Sequence, residues 1–287
     1  MLGVAKRWLR TELISDRKFA ERQYEHRMGK ALNLQDPRTF NEKIQWLKLN
    51  WRKDILTQCA DKYEVRNFVQ ERIGADILKR LHGVFGSVGE IDVNQLPGSF
   101  LLKVNHGSGQ NIVCPDKSNL DWQQTAKLLN RHLKRNLYYL SREWAYKNIT
   151  PRILCEEYVR ADGQPNYDYN FYCFNGMPRF MEVTKDKLGS PRVGMFDLEG
   201  NLLERRYNTP PLIPPYIKPR QLDKMIEIAA LLSQGFPFVR VDLLLVQHKI
   251  YFGEMTFYPL NGLINFRAPR FDEFLGSFLQ LPDNAQG

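Results

Sequence analysis

The chain has 287 residues, 43% of them hydrophobic and 25% charged, with a formal net charge of +9. That is globular composition with enough apolar side chains for a sizeable core, and no apolar run approaches the roughly 20 residues of a membrane-spanning helix. The basic excess calls for an acidic partner such as a nucleotide, an anionic sugar or an anionic membrane surface; without a helix-turn-helix or alternating basic and aromatic residues, nucleic acid is not expected.

Met1–Leu34 predicts a charged amphipathic helix, with Trp8, Leu9, Leu13, Ile14 and Phe19 on its apolar side. It has no signal-peptide core or cleavage site, so that face is expected to pack on the protein, with peripheral membrane contact as the alternative. Phe40–Asn50 and Asp61–Ile73 predict two more helices, the second ending at Gly74. Gly86–Asn94 and Phe100–Val104 read as strands, Leu120–Tyr139 as a long helix, and 152–159 and 168–183 as strands. The segment TPPLIPPYIKP at 209–219 reads as a stiff loop, followed by a helix over Gln221–Gln234, a hairpin, and a closing helix near Phe271–Leu279. Cysteines 59, 114, 155 and 173 show no metal-ligand spacing and are expected as reduced, partly buried thiols of a cytoplasmic protein. This order predicts an α+β protein with an antiparallel sheet in each of two lobes.

Three segments carry chemistry. Ser99–Asn111, SFLLKVNHGSGQN, is a strand ending in Lys103 and entering a loop with Gly107, Ser108 and Gly109. Small residues let backbone N–H groups approach an anion and the lysine adds a fixed positive charge, although such a segment is more often a plain strand end and turn. Its spacing fits neither a Walker A loop nor a dinucleotide fingerprint. Arg152–Gly176 holds two strand-like runs around ADGQPN, with Glu156 and Glu157 in the first and Asp168 opening the second. A linking strand with free backbone groups suits an adenine edge and a nearby acid suits ribose hydroxyls; a solvated edge is the alternative for one of the glutamates. Phe238–Gly262 predicts an antiparallel hairpin with Gln247-His248 at its tip, in which Asp242 and Glu254 interrupt apolar strands. A carboxylate there must be paired, hydrogen-bonded or bound to a cation. Arg240 shares a strand face with Asp242, so an intrastrand ion pair with Glu254 as a second partner stands beside a metal site.

Taken in order, Asp61-Lys62 with Arg66, LLKVNHGSG, ILCEEYV, DYNFYCFNG, RVDLLL and GEMTF resemble the TupA-like branch of the ATP-grasp enzymes, associated with bacterial surface-polysaccharide synthesis. The resemblance runs from about Pro37 to the C-terminus. It implies an ATP-grasp fold holding ATP between two α+β lobes, with a helical region over 1–60 and the ATP-grasp domain over 61–287, its lobes spanning roughly 95–160 and 165–280. It implies that Lys103 holds the α and β phosphates, that His106, Gly107, Ser108 and Gly109 form the loop closing over them, and that Lys62 or Arg66 makes the first basic phosphate contact. Glu156 and Glu157 fall in the adenine hinge, and Asp168 falls where ribose is contacted. Asp242 and Glu254 resemble the carboxylates that bridge two Mg²⁺ ions, with Thr256 in place of the more usual Asn, and Arg240 resembles the arginine that steadies a tetrahedral intermediate. Asn170 stands where a lysine is expected in this branch. The implied activity is ATP-dependent carboxylate–amine ligation through an acylphosphate, joining an amino acid or amine to a uronic-acid carboxyl of a surface polysaccharide or its precursor. An accessory protein that binds nucleotide or polysaccharide without chemistry, and an ATP-dependent kinase, are the alternatives. His82, His106, Arg267, Arg270 and the Asn261-Gly262 turn are candidate substrate contacts.

Overall fold

The computed structural model describes residues 13–160, 166–187, 190–204, 210–212, 218–266 and 268–283. Helix α1 (Asp16–Met28) begins where the Ser15 hydroxyl accepts from the Lys18 N–H and ends at Gly29, whose φ of 70° is the left-handed conformation that stops a helix. Within the described residues α1 is shorter than the sequence predicts. It buries Ala20 and Tyr24, while Leu13 is 79% exposed and so packs on no core. Trp8 and Leu9 lie outside the described residues, as do 161–165 of the ADGQPN turn and residues 209 and 213–217 of the Pro-rich segment.

Helix α2 (Phe40–Asn50) has the predicted bounds because Thr39 and Glu42 form a reciprocal cap, each side chain accepting from the other's backbone N–H. The helix predicted over Asp61–Ile73 starts later, as α4 (Val65–Ile73), and is preceded by a helix that the sequence reading misses, α3 (Asp54–Ala60). Asp61 separates them because its carboxylate accepts from the Tyr63 N–H and from the Asn105 amide, a local bond that competes with helix.

Strands β1 (Leu81–Phe85), β2 (Phe100–Val104), β3 (Ile112–Cys114) and β4 (Ile153–Glu156) form an antiparallel sheet in the order β1-β4-β2-β3. The strand predicted at Gly86–Asn94 is replaced by two single 3₁₀ turns. There Glu90 accepts from the Gly86 N–H and the Ser87 hydroxyl, and Asp92 from the Asn94 N–H. Phe100, Leu102, Ile153 and Cys155 bury one face of this sheet together with Leu129 of α5 (Trp122–Leu133). The long helix predicted over Leu120–Tyr139 divides into α5 and the single turn α6 (Tyr138–Ser141).

A second antiparallel sheet contains β5 (Tyr167–Phe174), β6 (Met177–Lys185), β7 (Arg192–Phe196), β8 (Leu202–Glu204), β9 (Phe238–Val246) and β10 (Lys249–Thr256), in the order β10-β9-β5-β6-β7-β8. One of its faces, with Tyr169, Phe171, Cys173, Val183, Val239 and Val241, packs on α7 (Leu222–Ser233), where the Cys173 thiol reaches the Ala229 carbonyl. The opposite face is apolar at one end, where Tyr172, Phe174 and Phe238 surround Phe40 of α2, and polar at the other. Helix α8 (Pro269–Phe278) closes the chain near its predicted place. All four cysteines are buried free thiols, and no helix among the described residues is long and apolar enough to cross a membrane.

Candidate active site

The polar end of the second sheet is built by register. Glu254 lies directly across from Asp242, Asp242 from Asn170, and Asn170 from Glu182, so four polar side chains make one row over β10, β9, β5 and β6. A bulge at Gly253 sets this alignment, since the register slips between Phe252 and Glu254. A Cβ on Gly253 would come within 2.8 Å of the Asp242 carbonyl oxygen, so the close backbone approach needs glycine. Thr256 and Arg240 face each other in the next row.

Arg240 grips Asp242 through two contacts, Nε to Oδ1 at 2.6 Å and Nη2 to Oδ2 at 2.5 Å. The same Nη2 lies 3.8 Å from Glu254 Oε1 and donates to Thr256 Oγ1 at 3.3 Å. The other oxygen of Glu254 pairs with Lys62 Nζ at 3.2 Å. The two acids are therefore ion-paired, as the alternative reading of the hairpin predicts. Burial pushes the Asp242 carboxyl up to about 6 against the pull of Arg240, and that short two-point grip favours the carboxylate at neutral pH. For Glu254 burial is again the largest influence, but Lys62, Arg240 and Lys187 together overcome it and bring the carboxyl down to about 2. Two facing carboxylates suit a metal that takes its other oxygens from phosphate and water, as Mg²⁺ does. Among the described residues no group of three or more His, Cys, Asp or Glu could hold an ion unaided.

The first sheet and the helix α4 present the opposing cations. Lys103 and Glu156 pair at 2.7 Å in the interior, and Arg66 adds a contact of 3.8 Å to the same carboxylate. Burial is the strongest influence on Glu156, yet Lys103, Lys79 and Arg66 hold its carboxyl below the usual range. The side chain of Glu156 is thus committed to positioning Lys103. Glu157 is half-buried and exchanges two contacts with Arg80, its N–H donating to the Arg80 carbonyl and its carboxylate accepting the Arg80 N–H. Beyond it, residues 157–160 and the hairpin tip 246–249, with Tyr251, line a cavity of about 540 Å³ between the two sheets.

In the loop after β2, Asn105 is buried and pinned on all sides. Its amide donates to Asp61 and to the Thr150 carbonyl, and its oxygen accepts from the Arg152 N–H. His106 is 1% exposed, with Nδ1 against Asn105 Oδ1, and burial lowers its imidazole below the ordinary value. Its ring points into the protein, so residue 106 can offer the loop its backbone only. Gly107 is buried against Val104 and Gln110, Ser108 is exposed, and Gly109 has a φ of 66°. Lys62 donates to the Gly107 carbonyl at 2.7 Å and thereby joins the loop to Glu254.

Sequence reasoning passes over Lys79, Lys187 and Glu182. Lys187 pairs with Asp168 at 3.2 Å; desolvation lowers its ammonium, but Asp168, Asp242 and Glu254 outweigh that and hold it above its ordinary value, although its side chain is 54% exposed. Lys79 is lowered by burial and by Lys103. No local pattern marks these lysines, because strand pairing brings them to the acids: Lys187 follows β6, which pairs with β5 at Asp168, and Lys79 precedes β1, which pairs with β4 at Glu156. Asn170 donates to Glu182 at 3.3 Å while its own oxygen is buried without a partner. Of the candidate substrate contacts, Arg267 lies outside the described residues, Arg270 is exposed on α8 and His82 is half-buried on β1. Asn261 and Gly262 lie in a left-handed turn held by α2, with Lys48 donating to Asn261 Oδ1 at 2.8 Å.

Three comparisons bear on this arrangement. Among solved structures the chain is similar to D-alanine–D-alanine ligase from Bacillus anthracis complexed with ATP, at 10% identity and a TM-score of 0.40, covering 70% of this chain and 55% of that one. It is also similar to L-amino acid ligase from Bacillus licheniformis, at 11% identity and a TM-score of 0.41, covering 69% and 40%. The chain spans only 55% and 40% of the lengths of these two proteins. A comparison with curated proteins gives no match. The family model described as TupA-like ATPgrasp matches residues 42–280, a stretch that contains Lys62, Lys103, Glu156, Arg240, Asp242 and Glu254, and the chain belongs to that family.

Proposed function

We propose that the protein is an ATP-dependent carboxylate–amine ligase, with ATP in the cleft between the two sheets. One observation carries the reading: Lys62 touches the Gly107 carbonyl of the glycine loop and the Glu254 carboxylate of the acid hairpin at once, so phosphate-binding and metal-binding groups share one space. In this reading Lys103, steadied by Glu156, holds the α and β phosphates, and the N–H groups of residues 107–109 cover them. The backbone of residues 156–159 receives adenine and Asp168 the ribose, while Lys187 and Arg66 add positive charge at the phosphate end. Asp242 and Glu254, with Thr256 beside them, would hold Mg²⁺, which when bound screens the charge of the phosphates. Arg240 balances the oxyanion that develops as an amine attacks the acylphosphate, and no side-chain nucleophile is required.

The acceptor in this reading is an acidic sugar or glycan carboxyl and the co-substrate an amino acid or amine, which suits a net charge of +9 and a cytoplasmic supply of ATP. Incubation with ATP, Mg²⁺ and panels of uronic acids and amines, followed by identification of every product, tests it. ADP with an amide supports ligation. ADP with a stable phosphorylated product makes the protein a kinase, nucleotide binding without any product makes it an accessory binder, and AMP contradicts acylphosphate chemistry.

A further inference from the structure

We propose that Lys62 is the resident counter-ion of Glu254 and makes the metal site selective for a metal arriving with its nucleotide over the free ion. The inference rests on the reading that Asp242 and Glu254 hold the metal. Lys62 is fixed at both ends. Its N–H donates to the Asn105 carbonyl at 3.1 Å, and its ammonium is shared between the Gly107 carbonyl at 2.7 Å and Glu254 Oε2 at 3.2 Å, with only 9% of the side chain exposed. Arg240 occupies both oxygens of Asp242 and approaches the other oxygen of Glu254. A divalent ion bound about 2.1 Å from Glu254 would share that carboxylate with the ammonium, at a separation where like charges repel strongly in a desolvated cleft. Free metal therefore competes with a cation already in place. A triphosphate changes the balance, because it offers Lys62 another anion and brings the metal its remaining oxygen ligands. The same ammonium holds the Gly107 carbonyl, so its departure from Glu254 also loosens the loop that must move over the phosphates.

The test is electron paramagnetic resonance of Mn²⁺ with the full chain, with and without a non-hydrolysable ATP analogue, on the wild type, Lys62→Met and Glu254→Gln. The wild type should bind free Mn²⁺ weakly, and Lys62→Met should bind it about tenfold to a hundredfold more tightly without nucleotide, the scale of one lost charge-assisted contact. Lys62→Gln, which keeps a donor for Gly107 and removes the charge, gives the same reading if the methionine variant does not fold. Equal Mn²⁺ affinity in the wild type and both Lys62 variants, with Mn²⁺ held normally once the analogue is added, overturns the inference and leaves the metal assignment standing. An analogue that binds while Mn²⁺ in its complex is insensitive to Glu254→Gln overturns the metal assignment, and the inference with it.

Discussion

Asp242 and Glu254 are bound differently, and their substitutions should separate accordingly. Asp242 is 4% exposed and shares both oxygens with Arg240, so Asp242→Asn leaves a buried guanidinium without its main partner and should lower thermal stability as well as turnover. The Glu254 side chain is 33% exposed, which makes Glu254→Gln the cleaner probe. We expect it to reduce turnover about a hundredfold or more while shifting the melting temperature by only about 2–4 °C. A purely structural ion pair would give the reverse, a stability loss with turnover preserved at saturating Mg²⁺. The pH dependence follows from the same pair. A carboxyl raised to about 6 loses its charge as the pH falls through that value, so kcat/KM for ATP should decline below about pH 6, and a flat profile from pH 5 to 7 would show instead that the Arg240 grip keeps Asp242 ionised throughout that range. The linked stabilities have opposite signs. The ionised form of Asp242 costs stability above its folded pKa, and that cost fades as the pH falls from 6 towards the ordinary value of 3.8. Glu254, held near 2, contributes stability that is complete above its ordinary value of 4.5 and is lost as the pH falls through about 2.

Among the elements, legibility tracks how local the determining interactions are. Helix α2 is readable to the residue because Thr39 and Glu42 cap it from within four positions, and the β9–β10 hairpin because two apolar runs and a polar tip define it. The missed strand β1 lies beside a segment of similar composition whose Glu90 and Asp92 fold back on their own backbone, a choice that strand propensity does not register. The bulge at Gly253 is equally silent in sequence, yet it decides which residue faces Asp242. The glycine-rich turn at 106–109 is legible in sequence, while the inward turn of His106 is not, since it depends on Asn105 being tied to Asp61 and to the Arg152 N–H. A lid made of Gly107, Ser108 and Gly109 should be mobile alone and ordered with ligand. Hydrogen exchange across residues 104–112 is expected to slow when a non-hydrolysable ATP analogue and Mg²⁺ are added, and equal exchange in both states would contradict a lid. Gly109→Ala is the variant of choice, because it strains a φ of 66° in open space, whereas a methyl at Gly107 would meet Val104 at 2.7 Å and disturb the core as well.

For the molecule as a whole, two antiparallel sheets bring together charges that are far apart in the chain. The acids of the hairpin could be read from sequence because a carboxylate in an apolar strand demands a partner. The partners could not: Lys62 meets Glu254 from far along the chain, and Lys79 and Lys187 reach the acids only through strand pairing within the two sheets. Cations and carboxylates that neutralise one another in the cleft are what a polyanion with its metal would rearrange, and the central claim is that ATP with Mg²⁺ is that ligand. Calorimetric titration of the wild type and Lys103→Ala with a non-hydrolysable ATP analogue and Mg²⁺ tests this most directly. Binding to the wild type, weakened about tenfold to a hundredfold in Lys103→Ala, is the result predicted from one lost charge-assisted contact. No binding to the wild type, or an unchanged dissociation constant in the variant, would contradict it.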